Sequence, residues 1–423
     1  MQTVMVTGMG VVSAIGHNSE DFSTALKAGL SGIKKADLTR GESSLTTPSM
    51  AALIEPWDFI EELKKLTYVP QALIKKAQQC ARRSSLATQA CVISALQAWQ
   101  EAGFNTVPPE TERISVVLAG QNINQRYSYQ MQEKYAAELA YLPPQYGLEF
   151  MDSYALGVLS EIFHITGEGI LVAGASASGN MGIIQAHRMV QWGLADIVML
   201  VAAPALLTPL ELQAWHSLGA MSSDPLTDPE TACRPFDRAR DGFVYGQGSA
   251  CLMLESEASA NRRAQKTMAK IAAVATCLDA NRLSNPSVEG EVRVMREALA
   301  GAKMQPSDVH YINAHGSASV LGDETEIAAI KRVFADTLPS IGINSTKSLT
   351  GHCLYAAGLV EAVATILQMN QHFLHPNLNL EHPLDDECSF VGSSFQPHTT
   401  NVAINNSFGF GGINSAVVFQ KSR

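Results

Sequence analysis

Two of the eleven histidines stand where an α/β protein would place reactive groups. His315 closes an apolar run in YINAHGSASVLGDETE, and His352 lies in NSTKSLTGHCLYAAGLVEA, ahead of an apolar helix. Each is flanked by Gly and Ser at a strand-to-helix turn, where such folds gather catalytic side chains. A lone histidine in that setting is more often structural, but two in matching contexts favour chemistry. Most others, including His17, His372, His375, His382 and His398, border polar or proline-rich loops and read as solvated. Gly174-Ala175-Ser176-Ala177-Ser178 resembles a nucleophile elbow centred on Ser176, yet its fifth position is Ser rather than Gly. A serine hydrolase would also want an Asp and a late His in that order, and no such pairing stands out. Gly409-Phe410-Gly411-Gly412 lies between two strand patterns and lacks the Lys-Ser/Thr of a phosphate loop. Its flexible backbone could instead present N–H groups to a developing oxyanion. Lys347 and Glu361, fourteen residues apart, read on their own as a solvated pair. Gly8-Met9-Gly10 follows a strand but lacks the third glycine of a dinucleotide fingerprint, so NAD binding is not expected.

Short β-branched runs alternate with helical stretches and must position these groups. Strands are expected at Val4–Met9, Ile114–Ala119, Ile170–Ala173, Asp196–Ala203, Ser249–Leu254, Ile271–Thr276, Val309–Ala314, Ile341–Asn344, Val402–Asn405 and Ala416–Phe419. Helices are expected at Glu20–Ala28, Phe150–Ile165, Gly179–Trp192, Glu289–Ala302, Asp323–Phe334 and Leu354–Gln371, with a long one near Gln71–Ala102. The alternation predicts an α/β class with helices covering a mostly buried sheet. Thr208, Pro209 and Glu211 form a capping box that marks one helix start. The weakest join is Glu255–Lys266, a polar stretch that could separate two halves.

Composition closes off several classes. Of 423 residues, 46% are hydrophobic and only 17% charged, enough to bury a large core. Thirty Lys and Arg face forty Asp and Glu, so no global basic field exists to hold nucleic acid. No apolar run reaches the ~18–20 residues that span a bilayer, and MQTVMVTGMG reads as a strand rather than a leader. A soluble, cytoplasmic protein is expected. The seven cysteines are odd in number and none pair as CxxC, which supports neither disulfides nor a metal site. They read as buried small hydrophobes.

Five ordered motifs together resemble the β-ketoacyl-acyl carrier protein synthases of the thiolase fold, over nearly the whole chain. They are VMVTGMGVVSAIG, RPFDRARDGFVYGQGSACLMLE, NAHGSASVLGDETE, NSTKSLTGHCLYAAGLVEA and NNSFGFGGINSAVVF. The resemblance implies a duplicated α/β/α/β/α sandwich, a homodimer, and thioester substrates carried on the phosphopantetheine of an acyl carrier protein, with no cofactor bound. It divides the chain into residues 1–257, carrying Ser176, and 258–423, carrying His315, Lys347 and His352. Condensing enzymes of this family hold a cysteine nucleophile where this chain has Ser176. Ala202-Ala203-Pro204 also departs from the family's usual Gly-Gly-x-Glu.

That substitution changes the expected chemistry. A cysteine thiol has a pKa of about 8.5, which a helix N-terminus lowers further, whereas a serine hydroxyl is far less acidic. Acylation of the enzyme should be impaired, while malonyl decarboxylation needs only donors for the enolate oxygen and a desolvated carboxylate. By family analogy His315 and His352 donate to the thioester carbonyl, Phe408 and Phe410 desolvate the carboxylate, and Lys347 with Glu361 braces the histidines. The backbone N–H groups of Ser176 and Phe410 make the oxyanion hole. The chain is similar to the Cys-to-Ser ketosynthase-like decarboxylases of polyketide β-branching cassettes, which turn malonyl- into acetyl-carrier protein. A serine acyltransferase or residual condensing enzyme, and a non-catalytic partner subunit like a chain-length factor, are the alternatives.

A docking face is also expected. Between Leu63 and Gln100 stand Lys64, Lys65, Lys75, Lys76, Arg82 and Arg83 with no acidic residue. On one long helix Lys75/Lys76 and Arg82/Arg83 would share a face, suited to an acidic carrier protein.

Overall fold

The computed structural model describes residues 1–38, 50–222 and 228–422. Ten strands form one sheet, each overlapping a segment the alternation predicts. In chain order they are β1 (Val4–Ser13), β2 (Ile114–Ala119), β3 (Gly169–Val172), β4 (Ile197–Ala202) and β5 (Gly248–Ser256). The second five are β6 (Ala269–Leu278), β7 (Tyr311–Asn313), β8 (Gly342–Asn344), β9 (Val402–Gly409) and β10 (Ile413–Lys421). Their order across the sheet is β8-β7-β9-β10-β6-β1-β5-β4-β2-β3.

That order contains a duplication. In the first half β1–β5 and β5–β4 pair antiparallel, while β4–β2 and β2–β3 pair parallel. In the second half β6–β10 and β10–β9 pair antiparallel, while β9–β7 and β7–β8 pair parallel. The two sets join where β1 meets β6 antiparallel through Val4–Val6. A short helix, Glu257–Arg262, lies on the connection from one set to the other.

The principal helices are α1 (Gln71–Ala81), α2 (Leu86–Glu101), α3 (Ser153–Phe163), α4 (Ser178–Gln191), α5 (Pro209–Ser217), α6 (Val288–Ala302), α7 (Val320–Phe334) and α8 (Ala357–Gln371). Helices α4 and α8 pack on each other and reach strands of both halves, forming the central layer. Helices α2 and α3 cover the outer face of the first half, and α6 that of the second, with α7 packed on α6. The result is the five-layer α/β sandwich of the thiolase class. Strand residues alternate between cores: on β2, Ile114, Val116 and Leu118 enter the outer cluster while Val117 and Ala119 enter the central one. Both faces are buried, which is why these strands read as continuous apolar runs. The central helices meet at glycines. A Cβ on Gly179 would lie 2.5 Å from the Leu359 nitrogen, and one on Gly358 would lie 2.9 Å from that of Asn180.

One expected element divides. The long helix near Gln71–Ala102 is two helices, because Ser85 caps the second, its side chain accepting the Thr88 N–H at 3.3 Å. A serine able to bond nearby backbone favours a helix start over a helix interior. The capping box at Thr208 forms as expected, the Thr208 N–H donating to Glu211 Oε2 at 2.9 Å. Six of the seven cysteines are buried. Among the described residues no metal-binding cluster occurs, and no helix is long and apolar enough to cross a membrane.

Candidate active site

Strand β3 leads into a single 3-10 turn, Ala175–Ala177, that places Ser176 at the head of α4. Ala175 takes a left-handed φ of 49°, a costly conformation for a residue with a Cβ. Ser178 holds the turn: its Oγ accepts the Gly174 N–H at 2.9 Å and donates to the Ala175 carbonyl at 2.7 Å. The serine that spoils the nucleophile-elbow pattern is therefore the residue that locks this turn.

The second half supplies the histidines. His315 follows β7, where Glu326 of α7 accepts the backbone N–H groups of His315 and Gly316 at 2.8 and 2.7 Å. Asp323, one turn earlier, accepts those of Ala318 at 3.1 Å and Phe236 at 2.7 Å. Lys347 donates to the His315 carbonyl at 2.5 Å and sits 3.5 Å from its Nδ1. It also forms an ion pair with Glu361, with side chains only 1% and 2% exposed. These two residues are thus buried rather than solvated, because their segments run beneath the cavity. The bracing expected of both histidines reaches only His315.

His352 is held differently. The Leu354 N–H, turned inward by a left-handed φ of 51°, donates to His352 Nδ1 at 3.3 Å. A neutral imidazole with Nδ1 accepting carries its proton on Nε2. That nitrogen lies 2.9 Å from Ser176 Oγ, so His352 donates to the serine rather than taking its proton. Burial lowers both histidine pKa values well below the usual range, and the Lys347 charge lowers them further. Both rings are neutral donors at neutral pH.

The rings of His315 and His352 stand edge to face at 5.6 Å, and Phe408 touches His315 at the same separation. Phe243 packs edge-on against His352 at 5.3 Å. Ser176, His315, His352, Phe408 and Phe410 line one cavity of about 610 Å³. The glycine loop presses on the serine turn, since a Cβ on Gly409 would fall 2.5 Å from the Gly174 carbonyl oxygen. Phe408 is buried, whereas Phe410 is 42% exposed at the cavity's opening.

Reading the sequence missed Glu326, Asp323 and Leu354. Glu326 and Asp323 stood in the quoted GDETE run, three apart as helix neighbours are, but nothing local said their carboxylates cap the His315 loop. Leu354 carries no side-chain signal, since only its N–H matters. His375 was misread as solvated: it is fully buried, its Nε2 3.0 Å from Thr346 Oγ1, because the proline-rich loop folds inward.

The basic face is less free than its composition suggests. Lys76 pairs with Glu161 of α3 at 2.5 Å, and Lys64 and Lys65 pair with Glu61 and Glu62 at 2.6 and 2.7 Å. Lys75, Arg82 and Arg83 are exposed; α1 ends at Ala81 with Arg82 still helical as its cap, its N–H donating to the Gln78 carbonyl, so only Arg83 falls beyond the helix.

A duplicated α/β sandwich with a serine turn facing two histidines, His352 buried and His315 half-buried, and a glycine loop defines a ketosynthase-type protein. Residues 1–260 match the β-ketoacyl synthase N-terminal domain and 268–381 the β-ketoacyl synthase C-terminal domain, and the chain belongs to that family. It is 38% identical over 418 residues to the polyketide biosynthesis malonyl-ACP decarboxylase PksF of Bacillus subtilis (strain 168), covering 99% of this chain and 96% of that one. It is 31% identical to the 3-oxoacyl-acyl-carrier-protein synthase 2 of Coxiella burnetii, covering 99% and 98% of the two chains. Among solved structures it resembles AntDE:AntF, a type II PKS acyl-carrier protein in complex with its ketosynthase bound to the hexaketide. That match has a TM-score of 0.85 and 27% identity over 100% of both chains.

Proposed function

We propose that the protein decarboxylates malonyl-acyl carrier protein to acetyl-acyl carrier protein in polyketide β-branching. The observation that carries this reading is the Leu354 N–H donating to His352 Nδ1, which assigns the ring proton to Nε2 and leaves Ser176 beside a donor and without a base. A ketosynthase site arranged so keeps the stabilisation of an enolate and loses the activation of a nucleophile. The 38% likeness to a malonyl-ACP decarboxylase supports it independently.

In the reaction, His315 and His352 Nε2–H groups donate to the malonyl thioester oxygen. The bond between C2 and the carboxylate breaks, CO2 departs, and the electron pair forms the enolate held by those two donors. A solvent proton then adds at C2 to give the acetyl thioester. Phe408 and Phe410 keep water from the carboxylate, favouring its loss. Lys347 with Glu361 fixes His315, and the Ser176 and Phe410 N–H groups form the oxyanion hole. The phosphopantetheine arm of the carrier protein delivers the substrate, with Lys75, Arg82, Arg83 and secondarily Lys76 facing the acidic carrier. No further cofactor or metal takes part. The reading includes a cytoplasmic homodimer with its halves divided at 257/258. Support for the dimer comes from β3, an edge strand with Leu171 43% exposed.

A serine acyltransferase would need His352 Nδ1 protonated and facing a carboxylate, where it meets the Leu354 N–H instead. A non-catalytic subunit would have no use for two neutral histidines facing one cavity. Mass spectrometry of malonyl-loaded carrier protein incubated with the enzyme tests the reading. Acetyl-carrier protein without a protein-bound acyl group is expected; unchanged malonyl-carrier protein would refute it.

A further inference from the structure

One buried carboxyl group in the active-site wall is engaged by nothing around it. Glu291, in the first turn of α6, lines the same cavity as Ser176, His315 and His352. It is only 1% exposed, and its Oε2 has no hydrogen-bond partner among the described residues. The packing of α6 fixes its place. Helix α6 begins against β10, where a Cβ on Gly290 would fall 2.4 Å from Asn414 Nδ2. Asn414 also lines the cavity and is the cross-strand partner of Phe408, the ring that packs on His315. One turn after Glu291, Met295 Sδ lies 3.5 Å from Asn406 Nδ2, which donates to Glu326 Oε1 at 3.3 Å. Glu291 therefore stands on the side of the cavity that holds His315 and Phe408.

Its neighbours decide its protonation state. Glu326 and Asp323 act on it from α7, and Asp279 from the end of β6. Glu326 accepts two backbone N–H groups, and Asp323 accepts two more beside Arg240. Asp279 accepts the Asn414 amide at 2.8 Å. Glu291 has no such donor or cation to compensate a charge. Burial, and after it the charges of those three carboxylates, holds its pKa well above the usual carboxylate range. The N-terminal dipole of α6 favours the charged form, but one helix end is weak against burial among like charges. At neutral pH Glu291 is a neutral acid with a proton to give.

We propose that Glu291 is the acid that supplies the proton taken up by C2 of the enolate. This rests on reading the site as a malonyl decarboxylase. Loss of CO2 leaves an electron pair shared between C2 and the thioester oxygen. As the new C2–H bond forms, the Glu291 O–H bond breaks, and the carboxylate left behind recovers a proton from solvent. The two histidines cannot serve as this acid without giving up the N–H bonds that hold the enolate oxygen. The phenylalanine rings keep water scarce there, so a built-in acid shortens the life of the enolate.

The fate of the enolate separates this role from a structural one. Malonyl-carrier protein is incubated in ¹³C-bicarbonate with wild type, Glu291→Gln, Glu291→Ala and Glu291→Asp, with folding checked by thermal melt. An enolate that waits for its proton recaptures CO2, and label enters the remaining malonyl group. The ratio of labelled malonyl to acetyl product should rise at least ~10-fold in the Gln and Ala variants, while acetyl formation falls by ~10²-fold or more. Glu291→Asp, which keeps an acid, should hold the ratio close to that of wild type. An unchanged ratio in Gln and Ala, whatever their rates, would overturn the proposal, and either variant suffices where the other fails to fold. Wild-type protein that forms no acetyl-carrier protein would overturn the proposed function and this role together. An active wild type with unchanged ratios in the variants would overturn this role alone.

Discussion

The two halves of the chain meet at one cavity but hold their contributions very differently. The second half surrounds its histidines with buried polar groups: Glu326 on the backbone of His315, the Lys347–Glu361 pair behind it, and the Leu354 N–H on His352. The first half offers Ser176 on a turn held by Ser178, with one side-chain partner, and that partner donates to it. Burying a charged pair costs several kcal/mol per ion unless geometry and hydrogen bonds compensate, so the donor side is built at considerable energetic expense. The serine side asks for no comparable support. Retaining the expensive half beside a weak nucleophile is what a site for enolate stabilisation requires.

If that asymmetry is right, the largest effect of any single change should come from the buried pair. Lys347→Met strands the Glu361 carboxylate and should cost about 3–5 kcal/mol of stability, read by denaturant unfolding. Adding Glu361→Leu should recover most of the loss, and no recovery would mean Lys347 does something besides neutralising Glu361. Next come the donors themselves. His315→Ala and His352→Ala should each slow decarboxylation by ~10²–10³-fold in steady-state assays, as loss of an oxyanion-type donor does. Full activity in either would remove that ring from the mechanism.

The pH profile sharpens the same contrast. Because burial lowers both catalytic histidines well below their ordinary value, the decarboxylation rate should show no histidine inflection as pH falls through about 6.5. Stability should respond sooner. His375 is lowered from 6.5 to about 4, so the unfolded chain takes its proton first. Its contribution is complete above 6.5 and is lost as pH drops towards 4, which acid titration of the melting temperature would record. On the docking face, reversing Arg82 and Arg83 to Glu should raise the KM for malonyl-carrier protein by several-fold up to about tenfold. It should spare small malonyl thioesters and weaken the salt dependence. Equal loss on both substrates would indicate damage to the fold.

Much of this architecture could be read directly from residue order. All ten strands overlapped the predicted runs, most of them, such as Val4–Ser13, Ile114–Ala119 and Ile197–Ala202, because both faces are buried and the apolar signal is uninterrupted. The break at Arg82–Ser85 was missed because a single serine cap is a weak signal inside thirty residues of good helix former. The histidines were visible from their Gly/Ser settings, but the burial of Lys347 and Glu361 was not. Charge alone reads as exposure, and only the packing of α8 beneath the cavity reverses that. Leu354 and Glu326 act through backbone N–H groups, and backbone geometry leaves almost no trace in residue type.

The smallest expected effect decides the most. If Ser176 only accepts a hydrogen bond from His352, Ser176→Ala removes one neutral interaction worth about 0.5–1.5 kcal/mol, and decarboxylation of malonyl-carrier protein should stay within about tenfold of wild type. Loss of a true nucleophile costs several orders of magnitude. A folded Ser176→Ala protein without activity, together with an acyl-Ser176 adduct in the wild type, would contradict the decarboxylase mechanism and establish a serine acyltransferase in its place.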